Sequence, residues 1–194
     1  MFILASNSPQ RLGLLEQAGV AIDRIVSPNI EEIPLKAELP IDFVRRMALA
    51  KSKVIVNHHN DFVLTADTIV TRGRRILGKP ENRITANKYL RLLSGSRHRV
   101  ITSVCLAHNG KTIAREVITI VKMKLLSGVE IEEYLDTDEW KGKAGGYAIQ
   151  GRAAKFIPQI SGSYTNAVGL PLTETINMLT GNGFILRNKF VNNE

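Results

Sequence analysis

The sequence predicts an α/β protein with a mixed sheet, on three observations. A short apolar strand at the amino end runs straight into a helix. Strand-like and helix-like segments then alternate, and two long β-like runs meet at Asn109-Gly110. Alternating strands and helices call for parallel pairing, whereas Asn-Gly between two β runs is a strong signal for an antiparallel hairpin.

Taken in order, Phe2-Ile3-Leu4 reads as a buried strand. Ser8-Pro9 starts a helix, with serine as cap and proline preset for the first turn. Leu12, Leu15 and Ala18 give that helix an apolar stripe and Gly19 ends it, so that residues 22–26 return as a strand in a βαβ-like unit. Residues 34–40 form a loop. Pro40 opens a longer helix to about Val56, with Val44, Met47, Ala48 and Ile55 facing inward. Residues 62–70 read as a buried strand or strand pair, Arg72-Gly73 as a turn before 75–77, and 85–93 as a helix ending near Gly95.

The hairpin arms cover 100–108 and 111–124, the second alternating along 116–124 as if one face met solvent. Ser127 and Glu130 have the capping-box spacing for a helix over 127–135. A glycine-rich stretch over 142–151 leads to a short strand about Phe156, a loop at 161–166 and a helix over 171–179. No repeat or Pro/Gly/Ser-rich linker divides the chain, which reads as one domain over 1–194.

Composition narrows the function classes. At 44% apolar and 23% charged residues the 194-residue chain is an ordinary globular one, which excludes disorder and fibres. Its apolar runs reach only a handful of residues, where a membrane span needs about 20. The first five residues are too short for a signal-peptide core, so a cytoplasmic location is expected. Cys105 is the only cysteine, which excludes an intrachain disulfide. His58, His59, His98 and His108 lack zinc-ligand spacing.

The net charge of +8 is concentrated in one stretch. Arg72, Arg74, Arg75, Lys79, Arg83, Lys88, Arg91, Arg97 and Arg99 face Glu81 alone. That balance attracts anions, whether a nucleotide, a nucleic acid or a phospholipid surface, and equally suits a solvated basic face. With only Tyr89 interleaved, it lacks the stacking platforms of a single-strand binder.

Several residues stand out of place. Asp67 lies within Val63-Leu64-Thr65-Ala66-Asp67-Thr68-Ile69-Val70, where a buried carboxylate needs a cation; a turn at Asp67 is the other reading. Lys51 falls on the apolar stripe of its helix, where it either has a reason to point its ammonium inward or snorkels to the rim. Ser8 and Arg11 sit at a helix start directly after a strand, an anion site as well as a cap. Lys79 in Gly78-Lys79-Pro80 is a solvated or phosphate-contacting lysine. Glu31 and Glu32 are surface acids or oxygen ligands for Mg²⁺. Gly145 and Gly146, before Tyr147 and Gln150, mark a close backbone approach to a ligand or another strand. Together these residues are the inventory of a metal-assisted phosphate site.

The motifs resemble the Maf family of nucleoside triphosphate pyrophosphatases along nearly the whole chain. The matching segments are Leu4-Ala5-Ser6-Asn7-Ser8-Pro9-Gln10-Arg11, Ala50-Lys51, Ala66-Asp67-Thr68-Ile69-Val70, Gly78-Lys79-Pro80, Leu93-Ser94-Gly95, the run from Lys143 to Gly151, and Gly162-Ser163-Tyr164 with Val168-Gly169-Leu170-Pro171-Leu172. Seven ordered motifs are far more specific than any one of them. The run containing Tyr147 and Gln150 is similar to the dTTP/UTP branch, and Gln10 stands where the family often has arginine.

The resemblance implies a two-lobed, inosine-triphosphatase-like α/β fold: a mixed twisted sheet flanked by helices, with the active-site cleft between the lobes. It implies hydrolysis of dTTP, UTP and modified pyrimidine nucleotides to the monophosphate and pyrophosphate, with Mg²⁺ or Mn²⁺, by a cytoplasmic homodimer. Carried over position by position, Asp67 is the catalytic aspartate and Glu32 with Asp67 holds metal. Ser8, Arg11, Lys51 and Lys79 line the triphosphate, and Gln150 lies near the base. No stable nucleic-acid complex or membrane association is expected. The competing reading is a nucleotide-binding regulator of cell division with little or no catalysis.

Overall fold

The structure, a computed structural model, describes residues 1–55 and 59–186. The chain runs β1 (Phe2–Ala5), α1 (Pro9–Gln17), β2 (Arg24–Val26), α2 (Pro40–Lys53), β3 (Phe62–Arg72), β4 (Arg75–Leu77), α3 (Arg83–Leu93), β5 (Arg97–His108), β6 (Lys111–Lys122), α4 (Gly128–Leu135), β7 (Gln159–Ser161), α5 (Tyr164–Val168) and α6 (Leu172–Gly181). Single 3₁₀ turns occupy Ala144–Gly146 and Arg152–Phe156.

The sheet has seven strands in the order β2-β1-β3-β5-β6-β7, with β4 added to β3. Strand β1 runs parallel to β2 and β3, and every other pairing is antiparallel. The mixed sheet therefore has the two origins the sequence offers: a βαβ crossover at one side and the Asn109-Gly110 hairpin at the other. Both turn residues have positive φ, 49° and 71°, as a two-residue hairpin turn requires.

Local signals account for most helix boundaries. Ser8 accepts from the Arg11 amide at the start of α1. Asn82 accepts from the Thr85 amide, which starts α3 two residues before the expected Thr85. Ser127 and Glu130 form the expected capping box. The helix expected to reach about Val56 ends at Lys53; Val56, like His58, lies outside the described residues.

Two expectations near the carboxyl end need correcting. The strand about Phe156 is a 3₁₀ turn, and the short strand comes later, at β7, which pairs only with the end of β6. The loop at 161–166 is interrupted by α5, capped by Ser163 through the Asn166 amide. Burial of Phe156 and Asn166 decides this region, and local pattern does not report it. Strand β2 is also shorter than 22–26, starting at Arg24.

The lobes arise from one face of two long strands. Leu64 pairs with Leu106 and Ala66 with Val104, and these pack with α1 and α6 in one core that includes Leu15 and Leu179. Further along, Val70 pairs with Val100 and packs with α3, α4 and the 3₁₀ turns in a second core around Leu90, Tyr134 and Phe156. Between the two, Thr68 pairs with Thr102 and their hydroxyls lie 3.0 Å apart. A polar step thus separates two apolar blocks on the same face, and the cleft opens there. On the opposite face Ile69 and Ile101 pack beneath Phe43, Val44 and Met47 of α2.

The sheet itself is interrupted at the same level. On one edge of β3, β1 ends with Ala5 opposite Thr65, and the pairing with β4 starts only at Val70, opposite Leu77. Among the described residues, 66–69 therefore have no strand neighbour on that edge, although β5 pairs them on the other. This gap, at the carboxyl end of parallel strand β1, is where ligands enter open α/β sheets. No helix is long and apolar enough to cross a membrane among the described residues.

Candidate active site

A cleft of about 370 Å³ opens at this gap, a size suited to a small-molecule ligand. Its two ends differ in chemistry. Ser6, Asn7, Ser8, Arg11, Glu32 and Lys51 make one end polar; Val70, Val100, Tyr147, Ile149 and Val168 make the other largely apolar, and Lys79, Lys143 and Gln150 add polar groups to the lining.

The polar end is built on the β1–α1 junction. Ser6 Oγ accepts from the Ser8 amide at 3.1 Å and from Arg11 Nη1 at 3.2 Å, so the turn is closed by its own side chains. Arg11 also donates from Nε to the Gly169 carbonyl (2.9 Å) and from Nη2 to Thr68 Oγ1 (3.0 Å). The guanidinium thereby ties α1, β3 and the turn after α5 together. Three of its five N–H groups are spent on the protein, leaving two for a ligand. Burial lowers its pKa, opposed by the charges of Asp67 and Glu32.

Asp67 lies in the middle of continuous strand β3 and faces α2, so the turn reading is set aside. It is 5% exposed, beneath the cleft lining. Lys51, on the inward face of α2, does not snorkel: its Nζ lies 2.5 Å from Asp67 Oδ1 and 2.6 Å from Glu32 Oε1. Burial raises the Asp67 carboxyl above the ordinary range, with Lys51 pulling the other way. Burial pushes Glu32 in the same direction, but hydrogen bonding and charge from Lys51, with Lys79 and Arg11, bring it below the usual value. The two acids therefore differ in proton affinity across one ammonium.

Glu32 reaches the site from the loop between β2 and α2, which is held from behind. Arg46 forks onto Glu38 with two 2.7 Å bonds and donates to the carbonyl of Ile33, the residue after Glu32. Glu31 is exposed and outside the lining. Among the described residues no group of three His, Cys, Asp or Glu side chains gathers for a metal. Two converging carboxylates fit Mg²⁺, which binds through one or two carboxylates and takes its other ligands from phosphate and water.

Lys79 lies exposed on the cleft wall after β4, and it alone of the nine basic residues at 72–99 reaches the lining. Arg83 is spent on Glu132 and Asp136, and Arg72 on the Leu92 carbonyl. Opposite Lys79, Gly145 donates from its amide to the Gly78 carbonyl at 3.1 Å. A Cβ on Gly145 would lie 2.9 Å from three Val70 carbons, so the glycine marks a close backbone approach to β3. Gln150 is exposed at the rim.

The expected Ser8, Arg11, Glu32, Lys51, Lys79 and Gln150 are thus gathered around one cleft, with Asp67 beneath it. Ser6, Thr68 and Gly169, which the sequence shows only as parts of motifs, aim Arg11, and Thr102 meets the Thr68 hydroxyl at 3.0 Å. Threonine is an ordinary strand residue, so nothing local distinguishes Thr68 from its neighbours.

The sequence profile described as Maf-like protein matches residues 1–182. The chain belongs to the Maf family. It is 52% identical over 184 residues to a protein of Roseobacter denitrificans named dTTP/UTP pyrophosphatase, covering 95% of this chain and 98% of the relative. It is 51% identical to one of the same name from Ruegeria sp., covering 95% and 96%. An Ehrlichia canis protein named nucleoside triphosphate pyrophosphatase is also 51% identical, covering 91% and 93%. Among solved structures, a HAM1 protein from Coxiella burnetii aligns with a TM-score of 0.51 over 93% of this Maf chain and 98% of that one. At 12% identity that likeness is one of fold, and it agrees with the expected two-lobed mixed sheet.

Proposed function

We propose that this Maf protein hydrolyses nucleoside triphosphates, dTTP and UTP foremost, to the monophosphate and pyrophosphate. The observation that carries the reading is the polarity of the cleft. A cationic, N–H-rich end matches a triphosphate, an apolar end matches a base and sugar, and a buried acid, Asp67, lies beneath the lining. The names of the Roseobacter and Ruegeria relatives support the choice of pyrimidine substrates.

In this mechanism a water oxygen bonds to the α-phosphorus, the bond from that phosphorus to the bridging oxygen breaks, and pyrophosphate leaves. Asp67 accepts the water's proton at its carboxylate; burial raises its proton affinity, which suits a base. Arg11, through its two free N–H groups, Lys51, Lys79 and the amides after Ser8 offset charge on the leaving pyrophosphate. Glu32 and Asp67 are the side chains that would hold Mg²⁺ or Mn²⁺, which supplies further neutralisation of the phosphates. Gln150 suits a pyrimidine because its amide accepts from N3–H while donating to a neighbouring carbonyl. The same reading takes a cytoplasmic homodimer as the working form.

The test is pyrophosphate release by purified protein with Mg²⁺ or Mn²⁺ across the common NTPs and dNTPs, with Asp67→Asn alongside. Selective turnover of dTTP and UTP that disappears in Asp67→Asn is expected. Wild-type-like turnover in that variant would sink the mechanism, and an unchanged dTTP to dCTP ratio in Gln150→Ala would remove Gln150 from base selection.

A further inference from the structure

His98 is buried beside the apolar end of the cleft and has no part in the chemistry above. It lies on β5, two residues before Val100 and on the same face, at 2% exposure. Its Nε2 is 2.6 Å from the Tyr147 hydroxyl, and the two rings meet edge to face at 5.4 Å and 82°. Tyr147 is 5% exposed, and the cleft is where it surfaces.

Two facts argue that this pair does more than fill space. The other ring nitrogen of His98, Nδ1, is buried with no hydrogen-bond partner among the described residues. A buried polar atom left unpaired is costly, so an apolar side chain would serve packing better. What histidine offers here, and an apolar residue would not, is the bond to Tyr147. Burial and the charge of Arg72 also hold the imidazolium down to about 4, so the ring is neutral and the bond does not titrate near neutral pH.

The backbone before Tyr147 is already fixed. Gly145 is pressed on Val70 and bonded to Gly78, and Gly146 lies against Pro80 and Ala86. The Tyr147 side chain, packed in the second core, has its hydroxyl fixed by His98.

We propose that His98 is a positioning residue for substrate selection: by holding the Tyr147 phenol, it sets the wall of the apolar end so that a single-ring base fits and a two-ring base does not. The inference rests on the triphosphate hydrolase reading. A ring free to swing widens the pocket, and pocket shape governs discrimination between bases of different size.

The test is kcat/KM for dTTP and dGTP in the wild type, His98→Leu, His98→Gln, Tyr147→Phe and the His98→Leu/Tyr147→Phe double variant. The dTTP to dGTP preference should fall about tenfold in His98→Leu and in Tyr147→Phe, carried by KM. The double variant should fall no further, because both changes break one bond. Glutamine, whose amide nitrogen lies about where Nε2 does, should keep the preference. An unchanged ratio in a folded His98→Leu, or an equal loss on both nucleotides, overturns the proposal. If His98→Leu does not fold, Tyr147→Phe decides: a lowered ratio supports the proposal and an unchanged one overturns it. Wild-type protein that turns over no triphosphate defeats the hydrolase reading instead, and the wall is then tested by the same comparison of dTTP and dGTP dissociation constants.

Discussion

Lys51 and Asp67 form an ion pair of 2.5 Å across the contact between α2 and β3, and the same ammonium holds Glu32 at 2.6 Å. One cation therefore neutralises two acids from segments far apart in the chain. The two acids differ in access: 41% of the Glu32 side chain is exposed, against 7% for Asp67.

Lys51→Met should expose that asymmetry. Removing one partner of a buried pair costs about 3–5 kcal/mol, because the remaining charge is left uncompensated. The burden falls on Asp67, the more buried of the two acids, which relieves itself by taking a proton. Urea unfolding should show a large loss of stability at pH 7 that shrinks toward pH 5. A loss equal at both pH values would mean that Asp67 carries no charge of consequence in the folded protein.

Asp67→Asn should separate stability from turnover. Burial raises the folded carboxyl's pKa above its unfolded value, so it favours the folded state at low pH, and that contribution is lost as pH rises through the folded pKa. At pH 7 the wild type thus bears the cost of a buried charge that asparagine lacks. The variant should melt at the same temperature or higher while turnover falls about a hundredfold or more, the usual size of a general-base contribution. Thermal unfolding and pyrophosphate release on one preparation check both halves.

How far the site could be read from sequence follows from the range of each signal. Ser8-Pro9, Asn109-Gly110 and Ser127 with Glu130 report their own neighbourhoods, and the turn or cap they mark is present in each case. Asp67 and Lys51 were legible only as anomalies. A carboxylate in a strand and a lysine on an apolar stripe each have a harmless reading until the two are seen facing one another. The gap between β1 and β4 has no local signature, because it depends on where two separate strands stop along a third. The region after Gly151 misled for the same reason, its short elements being set by the burial of Phe156 and Asn166.

His98 should impose its own pH dependence. Its pKa drops from the ordinary 6.5 to about 4 on burial beside Arg72. The unfolded chain takes up the proton first as pH falls, so the stabilisation is complete above 6.5 and is lost as pH drops through about 4. The size of the effect is about 3 kcal/mol. The unfolding midpoint in urea should therefore fall less between pH 7 and pH 4.5 in His98→Gln than in the wild type. Identical slopes would show that His98 does not distinguish the two states.

Gly145 and Gly146 provide a paired test of the cleft wall, since both have φ of +72° but differ in what surrounds them. Alanine at either costs about 1–2 kcal/mol for the left-handed backbone. At Gly146 a Cβ meets only ordinary contacts, 3.5 Å from Pro80 and 3.6 Å from Ala86. At Gly145 it would meet Val70 Cβ and both its methyls at 2.9 Å, and the loop must retreat. That retreat breaks the bond to Gly78, beside Lys79, and moves Tyr147 off His98. Gly145→Ala should therefore lose more stability than Gly146→Ala and raise KM for dTTP, where Gly146→Ala leaves KM closer to wild type. Adding Val70→Ala to Gly145→Ala should recover part of KM, because it removes the two methyl collisions but neither the contact with the residue 70 Cβ nor the backbone strain. Equal effects of the two alanines on KM would show that the approach of Gly145 to β3 does not position the wall.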